Sequence, residues 1–144
     1  MVHVFLFWSL MAGCCGYALV YGGAAERVVA IVFLGGDVLS DVAMSPYAVR
    51  YARFETGTFL VDLAMAALLF AVAIRSRRYW PMWMCAFQSV QLGSHFAGLL
   101  EPTILRLTYG LLISLWAYPM LLLLAIATLR KRMRTARGAN AAAS

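Results

Sequence analysis

The sequence predicts an all-α fold: a polytopic transmembrane bundle of about five helices, with its N-terminus outside and its C-terminus cytoplasmic. Three observations predict it. Of 144 residues, 64% are hydrophobic and 12% charged, whereas an ordinary soluble domain is roughly 45–50% apolar and about 25% charged. Five apolar runs approach the roughly 20 residues that a helix needs to cross about 30 Å of hydrocarbon. Nine of the twelve basic residues (Arg27; Arg75, Arg77 and Arg78; Arg130, Lys131, Arg132, Arg134 and Arg137) sit at the edges of those runs. Strands are not expected, because period-2 alternation is missing and an open sheet leaves backbone groups unpaired in lipid.

The first segment, Val4–Tyr21, has no Lys or Arg before its apolar run, which continues well past the 7–15 or so residues of a signal-peptide core. It reads as a retained helix. The second, Val28–Met44, follows Gly22-Gly23 and carries Asp37 and Asp41; a re-entrant rather than spanning course is its alternative, and would place the N-terminus inside. The loop SPYAVRYARFETGT spaces Tyr47, Tyr51 and Phe54 as a short helix lying on a membrane surface would. The third segment, Phe59–Ile74, opens near Asp62 and ends at RSRR. The fourth, Trp80–Leu100, begins YWPMW, with Pro81 where a first helical turn tolerates it and aromatic rings suited to an interface. The fifth, Leu107–Leu129, is expected to bend at Pro119. Residues 1–129 thus form the transmembrane domain, and the basic residues 130–144 a disordered cytoplasmic tail. Ala12 and Gly16, and Ser89, Gly93 and Ala97, have the small-residue spacing that lets helices approach closely.

With five spans, nine basic residues fall on one face and Arg50, Arg53 and Arg106 on the other, which orients the chain. No basic stripe with exposed aromatics and no nucleic-acid-binding signature occurs, so nucleic acid is not an expected partner. Cys14, Cys15 and Cys85 lie inside apolar segments without metal or redox spacing.

Polar groups inside the segments are the informative residues, since each is costly in lipid and should face the bundle with a partner. They are Asp37, Asp41, Asp62, Gln88, Gln91 and His95. Asp37 and Asp41 share a helical face, as do Gln88, Gln91 and His95 at i, i+3, i+7. The topology places these groups toward the outer side, together with Glu101, Arg106, Arg50 and Arg53, as one polar cluster or cavity.

Two accounts of the cluster stand side by side. In the first, Asp41 and Asp62 pair with Arg50 or Arg53 at the headgroups, and Gln88, Gln91 and His95 are interhelical glue. In the second, the cluster is a site: a partial proton or cation path, a pocket for lipid or quinone, or His95 as a haem or metal ligand, with His3 as the other histidine. No catalytic motif is present, no metal site is expected, and no cofactor is required.

The run VDLAMAALLFAVAIRSRRYWPMW, followed by Gln88, Gln91, His95 and then WAYPMLLLLA, resembles small uncharacterised multi-pass bacterial inner-membrane proteins. The resemblance implies an inner-membrane location and several helices, and supplies no activity or ligand. Arginine outnumbers lysine eleven to one, as GC-rich bacterial codon usage favours. The expected role is non-enzymatic, an accessory or scaffold subunit associated with the lipid bilayer and with other membrane proteins or copies of itself. The alternative is a small ligand-binding or proton/cation-translocating protein.

Overall fold

The computed structural model describes residues 2–43, 56–96 and 115–143. These form five α-helices and no strand: α1 (Val2–Tyr21), α2 (Ala24–Ala43), α3 (Thr56–Arg75), α4 (Trp80–His95) and α5 (Ala117–Ala143). Among the described residues, α3 is the one helix long and apolar enough to cross a membrane, and Phe5–Tyr21 is a shorter apolar stretch. The others differ for local reasons: α2 carries Glu26, Arg27, Asp37 and Asp41, α4 has 16 residues, and the second half of α5 is basic.

Helix α1 stops at Gly22, whose N–H donates to Ala18 O at 2.9 Å; a Cβ there would sit 2.1 Å from that carbonyl oxygen, so the turn needs glycine. Helix α2 starts one residue later. Glu26, its third residue, reaches back to accept the Gly23 N–H at 3.0 Å, one half of a capping box. Helix α4 starts after Tyr79 with Pro81 in its first turn, as the sequence predicts.

The helices close into a ring. Sequential helices pack on one another, α5 returns to α1, and α5 also touches α2. Among the described residues, α1 and α5 run in the same direction, since the start of each meets the start of the other and the end of α1 meets a later part of α5. Phe7 packs edge-on against Tyr118 at 5.5 Å, and Arg132 lies 4.4 Å over the ring of Tyr21. The core runs through Met11, Cys15, Ala18, Phe33, Met65, Leu69, Met84, Leu121 and Leu124. The outer surface is rich in large apolar side chains, including Phe5, Leu6, Ile31, Val42, Leu60, Phe70, Ile74 and Leu122.

Three expectations are corrected. Residues 130–143 continue α5 as helix instead of forming a disordered tail; Ala and Arg are good helix formers and no proline interrupts them. The interruption in the last segment falls at Trp116, just ahead of Pro119: Leu115 is helical, Trp116 lies in a turn, α5 begins at Ala117 and Pro119 falls in its first turn, where a missing N–H costs nothing, while residues 107–114 lie outside the described residues. Among the described residues, Gly16 and Gly93 of the small-residue stripes bring no helices together. A Cβ on Gly16 or Gly93 meets nothing within 4 Å, whereas one on Gly36 would meet Met65 Sδ at 2.2 Å and one on Gly57 would meet Ala43 O at 2.4 Å. Close approach thus belongs to the α2–α3 pair. The surface loop with Tyr47, Arg50, Tyr51, Arg53 and Phe54, together with Ala97, Glu101 and Arg106, lies outside the described residues.

Candidate functional site: a carboxylate clasp beside a small polar cavity

Asp62 sits in the second turn of α3 and faces α4. It is 4% exposed. The i, i+3, i+7 face of α4 delivers three partners to it. Gln91 Nε2 donates to Oδ1 at 2.9 Å, His95 Nε2 pairs with Oδ2 at 2.7 Å, and Gln88 Nε2 donates to the Asp62 backbone carbonyl at 3.1 Å and to Oδ1 at 3.4 Å. Gln88 and His95 are buried, Gln91 half-buried. Which of His95 Nε2 and Asp62 Oδ2 donates depends on the imidazole tautomer, since either ring nitrogen of a neutral imidazole can carry the proton. Phe59, one turn before Asp62, covers the imidazole edge-on at 5.7 Å and packs likewise on Phe96.

Beside this clasp a cavity of about 70 Å³ opens between α1, α2, α3 and α4, with Ala117 at the start of α5 also on its wall. Its polar lining comes from Asp37, Ser40, Asp62, Gln88 and Gln91, and its apolar lining includes Phe7, Met11, Phe33 and Met65. A water needs about 10–15 Å³ of such volume and two to four polar partners, so a few waters fit. Asp37 Oδ2 is shut off from the surface with no hydrogen-bond partner among the described residues. Asp41, expected on the same face, is exposed. The structure therefore joins Asp62, Gln88, Gln91 and His95, sets Asp37 at the edge of the group, and leaves Asp41 out.

A haem iron would have to displace Asp62 from His95 Nε2 or take the other ring nitrogen, and the side chain of His3 lies outside what is described. Among the described residues no three His, Cys, Asp or Glu side chains converge as metal ligands would. No protein-family model matches the chain, and no curated protein or solved structure matches it either.

Sequence reasoning missed Glu26. At the opposite end of the ring it is 1% exposed and receives Arg78 Nη1 at 2.5 Å as well as the Gly23 N–H. Lys131 approaches the same point: a Cβ on Gly23 would lie 2.8 Å from Lys131 Nζ and 2.9 Å from Glu26 Oε2. The signal was there in GGAAER, a glutamate three residues after a glycine helix start.

Proposed function

We propose that this chain is a multi-pass protein of a bacterial inner membrane, N-terminus outside, that serves as a non-enzymatic accessory or scaffold subunit. One observation carries the reading. The ring turns large apolar side chains outward and the polar groups Asp62, Gln88 and His95 inward. Such a pattern suits an apolar solvent and apolar partners, because a helix buries its polar groups only where partners satisfy them. The clasp also supports a structural role: each Asp62 oxygen is used by α4, which locks α3 to α4 without a ligand.

Reporter fusions at residue 1 and after Ala143, with alkaline extraction of membranes, test the membrane reading. Extraction of the chain into the soluble fraction refutes it. Copurification with mass spectrometry from native membranes tests the subunit role, and a chain that consistently emerges alone counts against it.

A second reading is favoured by Asp37 Oδ2, buried without a partner beside a polar cavity. In it, Asp37 and Asp62 handle protons or a small cation. A cavity of about 70 Å³ is far below the roughly 300–1,000 Å³ of a drug-sized ligand site, so quinone or lipid fits it poorly. The combined variant Asp37→Asn, Asp41→Asn, Asp62→Asn, His95→Gln separates the two. A scaffold keeps its partners, whereas an ion site loses flux across proteoliposomes while still inserting.

A further inference from the structure

Folding gathers three basic groups that are far apart in sequence. The Arg78–Glu26 pair ties the α3–α4 turn to the start of α2, Lys131 sits beside Gly23, and Arg132 lies on Tyr21. This end of the ring, with the helix that continues from it, therefore holds Arg27, Arg75, Arg77, Arg78, Arg130, Lys131, Arg132, Arg134 and Arg137. Among the described residues Glu26 is the one acid there, so nine cations less one carboxylate leave +8.

The turn itself is unbalanced in a specific way. Arg75 and Arg77 are exposed and have no partner among the described residues. Next to them Ser76 Oγ and Trp80 Nε1 are buried donors that find no acceptor. An indole N–H can only donate, and an unmatched buried donor is costly. Two guanidinium groups and two neutral donors within six residues, with no carboxylate left to them, call for an anion rich in acceptor oxygens. A phosphate diester supplies charge and several acceptors at once, and arginine matches its geometry with paired bonds. Both donor atoms are shut off from the surface, so they reach such an anion only if the Ser76 and Trp80 side chains rotate.

We infer that the α3–α4 turn, Arg75 to Trp80, binds the phosphate of an anionic phospholipid headgroup, with the basic start of α5's outer half adding attraction. This rests on the membrane reading above. Tyr79 and Trp83, exposed beside the turn, suit the headgroup zone, where amphipathic aromatic rings collect. Basic residues near an anionic surface add electrostatic attraction, so the basic end of the ring selects charge, while the turn's neutral donors select phosphate.

Native mass spectrometry of the full chain in detergent tests it, by titration with phosphatidylglycerol, phosphatidylcholine and inorganic phosphate. Phosphatidylglycerol should be retained with at least tenfold preference over phosphatidylcholine. Arg75→Gln combined with Arg77→Gln should weaken retention about tenfold, and Trp80→Phe, which removes the indole N–H and keeps most of the ring surface, about threefold. Equal retention of the two lipids, an Arg75/Arg77 variant that binds like the parent, or displacement by inorganic phosphate at equal concentration each overturns the assignment. Alkaline extraction of the same membranes separates the two failures, since a chain that stays in the membrane yet shows no lipid preference refutes only the headgroup site.

Discussion

Replacing Asp62 by alanine removes the carboxyl group shared by three α4 side chains. Interhelical hydrogen bonds in membrane bundles average about 0.6 kcal/mol by double-mutant cycles, so three of them are worth about 2 kcal/mol. The groups left behind add to this. His95 is 0% exposed, and a buried donor or acceptor that loses its partner costs about 1–3 kcal/mol, whereas Gln88 keeps the Asp62 backbone carbonyl as its acceptor. Part of that returns as Gln91, half-buried on the cavity, finds water. The expected loss for Asp62→Ala is therefore about 3 kcal/mol. Asp62→Asn should behave differently. Its oxygen can still accept from Gln91, and its amide can donate to His95 Nε2 when the ring proton sits on Nδ1, because a neutral imidazole can accept at either nitrogen. The loss should stay within about 1 kcal/mol, that of one neutral hydrogen bond. Unfolding of the purified variants by sodium dodecyl sulfate in mixed micelles, followed by circular dichroism, measures both. An alanine variant within about 0.5 kcal/mol of the parent, or an asparagine variant as weak as alanine, refutes the clasp.

Asp37→Ala should leave the same unfolding midpoint unchanged or raise it slightly, since Asp37 Oδ2 has no partner among the described residues to lose; a loss comparable to Asp62→Ala would show that Asp37 belongs to the clasp. Gly57→Ala should cost about 1–3 kcal/mol because the new Cβ meets a backbone oxygen that cannot rotate away. Gly93→Ala meets open space and should be neutral or stabilising by up to about 1 kcal/mol through helix propensity, and the same denaturation series compares the two. Glu26→Gln keeps the shape but removes the charge that holds Arg78; limited trypsin digestion should cut the turn at Arg77 and Arg78 severalfold faster, and an unchanged rate counts against an ionic tie at that end.

Much of the local structure is legible in the residues. Four of the five helices follow the apolar runs to within a few residues at their described ends, because caps and breakers are local: Gly22-Gly23 ends α1, and Pro81 marks the first turn of α4. The common face of Gln88, Gln91 and His95 follows from helical period alone. The start of α5 was less legible, since Pro119 reads equally as a kink within a helix or as part of a first turn. The helical course of residues 130–143 was hidden by their charge, which argues for solvation and says little about backbone conformation. Small-residue spacing pointed to Gly16 and Gly93, yet Gly36 and Gly57 take the close contacts. Spacing shows where a helix could be approached and leaves open which neighbour arrives.

Helical character, most of the breaks and the faces that polar side chains share follow from local order in the chain, because they depend on bonds and periodicities spanning four residues or fewer. Helix packing selects Asp62, and not Asp37 or Asp41, to receive the α4 face, leaves Asp41 outside, and sets Glu26 against Arg78, with Lys131 near Gly23, at the far end. Those choices depend on the rotation and register of one helix against another. Both are set by the packing of Met65, Leu69, Met84 and Leu121 across the ring, and a turn of one residue, about 100° on a helix, would hand the same donors to a different partner.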